Sequence, residues 1–353
     1  MTGEVRILDA NLNRAREALR VMEDIARLGL NDAPLAADLK DARHAVRPLA
    51  EAAGLDSLRL AAWRDTPGDV GVAFTTPAEQ SRAGIRDIAV AAGKRAGEAL
   101  RVTEETLKVL PAPASASSGA AKALRYRVYE LERRLILALG AGRAPQWRLC
   151  ILITESLCTH APWEAVATEA VSAGADCLQL REKNLDGGEL LARARRLVDL
   201  ARPRGVSVII NDRPDIALLA GAHGVHLGQS DLSVLAARRI CGADLLVGVS
   251  TTNLDQATRA AADGADYCGL GPMFATTTKH KPVLAGPAYL REYLAGPQTA
   301  RIPHLAIGGI TADNARELAR AGCRGVAVSS AVCAAQSPAQ ACAALLRSLA
   351  DPQ

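Results

Sequence analysis

In the second part of this chain, polar and charged residues stand at the ends of short apolar runs. Gln179, Arg181 and Lys183 end one run in CLQLREKN. Asn211 and Asp212 follow SVII, Gln229 and Asp231 follow GVHLG, and Ser250 closes LLVGVS. Thr276, Thr278 and Lys279 lie in FATTTK, Gly308 and Gly309 end HLAIGG, and Ser329 and Ser330 end GVAVSS. One polar terminus means that a strand has reached solvent, whereas a series of seven describes a rim that can hold a ligand. Asp212 and Asp231 have no histidine or cysteine paired with them for metal ligation. They form either a structural acid pair or a hard oxygen site of the kind that suits Mg²⁺ shared with substrate phosphates. In the second case Arg181, Lys183 and Lys279, with the metal, would neutralise a pyrophosphate and stabilise it as it leaves. AIGGIT and AVSSAV place glycines and small hydroxyl residues before helices, where backbone N–H groups cradle phosphate. The pattern points to a transfer between two phosphorylated small molecules. No strand-end histidine or cysteine is placed as nucleophile or base, since alternation turns His226 into the interior and His280 falls in a loop.

These residues need a scaffold that brings the ends of successive strands together. Eight apolar runs, LCILIT, CLQLRE, SVIIND, GVHLGQ, LLVGVS, YCGLGP, HLAIGG and GVAVSS, alternate with helix-like stretches such as WEAVATEAVSAG and ADNARELARAG. Continuously apolar strands are those buried on both faces in a parallel sheet. The expected fold is α/β, a (β/α)8 TIM barrel over 147–353, with a doubly wound open sheet as the alternative and eight near-equal units favouring closure. GAGRAPQ, residues 140–146, marks the boundary. Before it, residues 1–140 read as an all-α domain. NRAREALRVMED (13–24) and KRAGEALRVTEE (94–105) align without a gap, pairing Arg14 with Arg95, Glu17 with Glu98, Arg20 with Arg101 and Glu23 with Glu104. Three- and four-residue spacing puts these charges on one helix face, either a solvated salt-bridge face or a site for an anionic ligand. WRDTPGDVGVAFTT (63–76) carries Asp65 and Asp69 in a loop that could approach phosphate and a divalent ion. LPAPASASSGA (110–120) reads as a flexible connection, and KALRYRVYELERRLILAL after it as a helix.

At 353 residues, 49% hydrophobic and 23% charged, the chain can build a globular core. A net charge of +4, no basic block and 3% aromatics give no reason to expect nucleic-acid binding. No apolar run is long enough to span a bilayer and the N-terminus is not that of a signal peptide, so the expectation is a cytoplasmic protein with no membrane partner. All eight cysteines fall after residue 147 without a CxxC pair, and they read as small core residues.

QLREKN, INDRPDIAL, HLGQSD, GVST, GLGPMFATTTK, AIGGI and AVSSAV together resemble, in order and spacing, the thiamine-phosphate synthase (thiamine-phosphate pyrophosphorylase) family over residues 147 to about 348. The resemblance implies condensation of hydroxymethylpyrimidine diphosphate with hydroxyethylthiazole phosphate, giving thiamine phosphate and pyrophosphate. By position it implies that Gln179, Leu180, Arg181, Glu182, Lys183, Asn211, Ser250 and Lys279 meet the pyrimidine diphosphate, with Arg181, Lys183 and Lys279 catalytic. It places Mg²⁺ on Asp212 and Asp231, and the thiazole phosphate on Thr276, Thr277, Thr278, Gly309, Ser329 and Ser330. Ala275 stands where the family usually has proline, and Glu155 where it often has aspartate. A thiazole tautomerase on the same barrel is a rival reading, and it would not need the acid pair or Lys279. The N-terminal ILDANLNRAREALRVMED, RDTPGDVG and EALRVTEE resemble a helical domain found fused to these synthases and assigned there as a hydroxymethylpyrimidine-phosphate kinase. No GxxxxGK[ST] loop is present, and the alternative is an assembly or channelling role. The homo-oligomeric state is left open.

Overall fold

In the computed structural model, which describes residues 2–70, 81–111, 114–276 and 284–350, the apolar runs of the second part become strands β1 (Leu149–Ile153), β2 (Cys177–Leu180), β3 (Ser207–Asn211), β4 (Gly224–Leu227), β5 (Leu246–Thr251), β6 (Tyr267–Leu270), β7 (His304–Ile307) and β8 (Val326–Val328). Each strand pairs in parallel with the next and β8 returns to β1, so the sheet closes into a barrel. The chain divides into two compact units, Met1–Leu139 and Gly140–Gln353.

Two apolar layers follow from the alternation of each strand. Leu149, Ile151 and Ile153 of β1, Leu178 and Leu180 of β2, and Val225 and Leu227 of β4 face outward into the layer that the barrel helices cover. Cys150, Leu152, Cys177, Ile209, Tyr267, Leu305 and Ala327 face inward, and Trp147 joins them. Trp147 packs edge-on against Tyr267 at 5.0 Å between ring centroids and donates its indole N–H to Ser207 Oγ at 3.0 Å. The interior is therefore filled at the N-terminal end, and only its C-terminal end is open to a ligand. Seven of the eight cysteines are buried and all are free thiols.

The first unit is built on α1 (Thr2–Asp24), α2 (Ala33–His44), α3 (Arg47–Glu51), α4 (Ser57–Trp63), α5 (Ile85–Val109) and α6 (Ser118–Leu139). Leu8, Leu12, Ala15, Leu19 and Met22 form the buried stripe of α1, at the spacing of a helix packed on one side. The two sequence repeats occupy α1 and α5, and each buries a glutamate. Glu23 receives Arg43 of α2 at 2.7 Å and Arg20 at 3.3 Å. Glu104 receives Arg125 of α6 at 2.8 Å and Arg101 at 3.1 Å. The repeat thus uses the equivalent glutamates Glu23 and Glu104 for the same purpose, fastening a neighbouring helix, rather than leaving them on a solvated face. Arg14, Glu17, Arg95 and Glu98 are exposed. Asp65 accepts the Gly68 N–H at 3.0 Å and faces Arg6 at 3.5 Å, while residues 71–76 of that segment lie outside the described residues.

LPAPASASSGA differs from the flexible connection expected. Ala114–Ser117 forms a short 3-10 turn with Ala114 and Ser117 buried, and α6 begins at Ser118. Alanines pack against the core where a composition rule sees only a linker. Among the described residues no helix is long and apolar enough to cross a membrane.

Removing one partner of a buried ion pair leaves the other charge uncompensated, at a cost of about 3 kcal/mol or more. Glu104→Ala should therefore lower the urea midpoint of the helical unit, read by far-UV circular dichroism. Replacing Glu104 and Arg125 together by Met should cost less, and an equal or larger loss in the double variant would contradict the pairing.

Candidate active site

A cavity of about 580 Å³ opens at the C-terminal ends of the strands. Gln179, Arg181, Lys183, Asn211, Asp212, Asp231, Ser250, Thr276, Gly309, Ser329 and Ser330 all line it. Residues from all seven run ends thus converge on one space, because parallel strands in a closed barrel end on the same rim, although Gln229 does not line it and instead donates to the Ser250 carbonyl. Thr277, Thr278, Lys279 and His280 lie outside the described residues. Leu180 and Glu182 do not line the cavity. Strand alternation turns Leu180 outward into the helix-covered layer. Glu182 accepts the Glu155 backbone N–H at 2.7 Å and pairs with Arg193 at 3.0 Å, so it ties the segments after β1 and β2 to the helix Gly187–Ala201.

The acid pair sits where β3 and β4 end. Asp212 adopts the left-handed conformation at φ 64°, which Asp tolerates better than most residues, and its N–H donates to the His226 carbonyl at 2.8 Å. Asp231 reaches back within its own turn to accept the Gly228 N–H at 2.7 Å. A side chain at Gly228 would meet that carboxylate at 2.8 Å, which explains the glycine in HLGQSD. Burial first, and then the neighbouring Asp231 carboxyl, raise the Asp212 pKa above the usual carboxylate value. Lys183, with Nζ 3.2 Å from Asp212 Oδ2, opposes that shift. Arg181 has no carboxylate partner among the described residues. The Gln179 side chain is buried and lines the cavity, with no side-chain hydrogen bond to it among the described residues.

Across the barrel, β7 and β8 end in a different kind of surface. Gly308 and Gly309 have φ of 100° and 64°. A side chain at Gly309 would meet the Ala275 carbonyl at 2.3 Å, so only glycine lets this turn pack on the segment after β6. Asn314 Nδ2 donates to the Gly309 carbonyl at 2.9 Å and its Oδ1 accepts the Thr311 N–H, fixing the turn to the following helix. Ser330 opens the helix Ser330–Cys333, where the first backbone N–H groups have no intrahelical acceptor. The Ser329 hydroxyl is already engaged, donating to the Leu152 carbonyl at 2.9 Å.

His226 also lines the cavity, with Nε2 2.8 Å from Ser250 Oγ and Nδ1 3.0 Å from the Tyr267 hydroxyl. The alternation of GVHL pointed this side chain inward, but nothing in the sequence announced its partners. Gly308, named with Gly309 at the end of HLAIGG, lines the cavity as well, and Gly228 and Thr311 are further lining residues that the run-end pattern did not single out.

Two family models match the chain, "Thiamine monophosphate synthase" over residues 149–332 and "ThiD2 family" over residues 6–134. A thiamine-phosphate synthase of Thermosynechococcus vestitus is 41% identical over 346 residues, which is 98% of this chain and 95% of that protein. One of Synechocystis sp. is 40% identical over 348 residues, covering 99% and 97%. Among solved structures, a thiamine phosphate pyrophosphorylase from Pyrococcus furiosus superposes with a TM-score of 0.52 at 32% identity, over 60% of this chain and 98% of that one. The relatives therefore share both units, and the archaeal structure accounts for the barrel. The chain belongs to the thiamine monophosphate synthase family of transferases.

Proposed function

We propose that the barrel joins hydroxymethylpyrimidine diphosphate to hydroxyethylthiazole phosphate, releasing pyrophosphate and thiamine phosphate, and that it does so in the cytoplasm. One observation supports this reading: a single cavity carries charged side chains on one side and an uncharged glycine and serine turn on the other. At the ends of β2 to β4, Arg181 and Lys183 stand beside the Asp212 and Asp231 carboxylates. At the ends of β7 and β8 a turn of Gly308 and Gly309, with Ser330, makes an uncharged cup. The first suits a diphosphate with a metal, and the second a phosphomonoester.

The carboxylate pair fits Mg²⁺. Its donors are oxygens only, and two carboxylates plus substrate phosphates are what this ion accepts. Burial first, and then the neighbouring Asp231 carboxyl, raise the Asp212 pKa, and a bound cation would favour the ionised pair. When bound, Mg²⁺ supplies electrostatic stabilisation of the charge that develops on the pyrophosphate. Gln179, Arg181, Lys183, Asn211, Ser250 and Lys279 hold the pyrimidine diphosphate. Thr276, Thr277, Thr278, Gly309, Ser329 and Ser330 hold the thiazole phosphate, Ser329 through its backbone because its hydroxyl is engaged elsewhere.

The bond from the pyrimidine methylene to the diphosphate oxygen breaks with its electron pair going to pyrophosphate, and the electron-rich aminopyrimidine spreads the positive charge left behind. The thiazole nitrogen supplies the pair for the new C–N bond. Arg181 and Lys183 meet the departing charge, and the two phosphate sites fix the distance between the reacting atoms. No protein base is needed, because the attacking thiazole nitrogen carries its own electron pair. A tautomerase would have no use for the acid pair that this chain carries.

For the helical unit we propose phosphorylation of hydroxymethylpyrimidine phosphate to the diphosphate that the barrel consumes. The exposed Arg14, Glu17, Arg95 and Glu98, which form no ion pair among the described residues, support a polar ligand site on α1 and α5. An assembly or channelling role is the alternative.

Asp212→Asn and Asp231→Asn each remove charge from the metal site and should lower turnover by about 10²-fold or more without changing the circular dichroism spectrum. Steady-state rates across a Mg²⁺ titration check this, and normal turnover in either variant would remove the metal assignment. Residues 1–139 with ATP and Mg²⁺ should convert hydroxymethylpyrimidine phosphate to its diphosphate, followed by phosphorus NMR. A folded fragment that neither binds nor phosphorylates the monophosphate would leave the helical unit a structural role.

A further inference from the structure

We propose that Tyr267 and His226 are positioning residues that fix the Ser250 hydroxyl as a hydrogen-bond donor to the diphosphate-bearing substrate. The inference rests on the proposed function in one respect, that Ser250 contacts this substrate.

The barrel registers put the three residues together. Asn211, His226, Gly248 and Tyr267 are successive ladder partners across β3, β4, β5 and β6, so they share one layer of the interior. Ser250 and Gly269 pair in the next layer toward the mouth. The two glycines make the arrangement sterically possible. A side chain at Gly248 would meet the Tyr267 ring at 2.1 Å and its hydroxyl at 2.5 Å, and one at Gly269 would meet His226 Cε1 at 3.0 Å. Glycine inside a strand weakens it, and here both positions are vacated for the tyrosine and the imidazole. Trp147 closes the layer from below against the Tyr267 ring.

The direction of the hydrogen bonds then follows from counting protons. Tyr267 is fully buried, and burial pushes its ionisation well up, so it keeps its proton. Among the described residues His226 Nδ1, 3.0 Å away, is the one hydrogen-bond partner of that hydroxyl. A buried O–H without an acceptor is costly, so the phenol donates to Nδ1. An imidazole that accepts at Nδ1 carries its proton on Nε2 when neutral. Nε2–H therefore donates to Ser250 Oγ at 2.8 Å. With its oxygen accepting from histidine, the serine has its own O–H free to donate, and Ser250 lines the cavity. The Gln229 side chain, donating to the Ser250 carbonyl at 2.7 Å, holds the backbone beneath it. The opposite tautomer would turn the serine proton toward histidine and offer the substrate only an acceptor. Against a substrate whose phosphates carry only acceptor oxygens, that polarity would lose the contact.

The full chain labelled with ¹⁵N-histidine tests the tautomer directly, the His226 signals among six histidines being assigned with His226→Gln. Nδ1 should show the shift of an unprotonated ring nitrogen and Nε2 that of a protonated one. The reverse pattern, or a charged imidazolium, would overturn the proposal, and this readout does not depend on the activity of any variant. Kinetics supply a second reading. Ser250→Ala should reduce kcat/KM for the pyrimidine diphosphate by about 10-fold, the scale of one lost hydrogen bond. Tyr267→Phe should reduce it in the same direction, yet the Tyr267→Phe, Ser250→Ala double variant should be no worse than Ser250→Ala alone. His226→Gln, whose amide can still donate to the serine, should retain more activity than His226→Leu. Losses that multiply in the double variant would overturn the relay. Unchanged kcat/KM in Ser250→Ala would instead overturn the substrate contact beneath it, while leaving the tautomer measurement intact.

Discussion

Two carboxylates pressed together at the ends of β3 and β4 are the arrangement on which the rest of the site depends. Burial, and with it the neighbouring Asp231 carboxyl, raises the Asp212 pKa, so holding both groups ionised is unfavourable without added positive charge. Such a contact persists only where the surroundings hold it. Asp212 is anchored through its backbone to the His226 carbonyl in a left-handed conformation, and Asp231 through its carboxylate to the Gly228 N–H. Lys183 offsets part of the repulsion. A structural acid pair would be expected to carry its counter-charges with it. Here one lysine faces Asp212, and Arg181 remains uncommitted among the described residues. The unbalanced charge is what a metal and a diphosphate would complete.

The barrel makes that charge usable by surrounding it with apolar and preorganised groups. The inner cluster around Trp147 and Tyr267 fills the N-terminal end, so substrates enter only from the rim. Polar groups that could compete with substrate are tied up behind the site, Glu182 by Arg193 and the Ser329 hydroxyl by Leu152. His226 spans between Tyr267 and Ser250, and the proposed reaction, whose nucleophile is a substrate nitrogen, asks no base of it. Electrostatics and positioning are what remain for the protein to supply.

Much of this was legible in the sequence because the governing rules are local. Strand alternation separates Gln179 from Leu180, and the recurrence of eight apolar runs predicts closure, which the ladder from β8 back to β1 realises. What was not legible depends on contacts between residues far apart in the chain. Glu182 reads as one of a charged cluster, but a partner eleven positions on, Arg193, draws it out of the cavity. Glu23 and Glu104 look like members of a solvated face until Arg43 and Arg125 arrive from other helices. Gly248 and Gly269 look like weak points in their strands, and their use appears only when Tyr267 and His226 occupy the space. LPAPASASSGA misled for the same reason, since alanine and serine are neutral in composition and take their state from what packs on them.

Protein charge at the ends of β2 to β4 is proposed to act on the departing pyrophosphate rather than on substrate binding alone. Arg181→Ala, measured by steady-state kinetics at saturating Mg²⁺ and thiazole phosphate, separates the two most directly. In this variant kcat should fall by about 10²-fold while KM for the pyrimidine diphosphate changes little, as expected for a contact realised in the transition state. A raised KM with unchanged kcat would contradict it, because Arg181 would then serve only to hold the ground state.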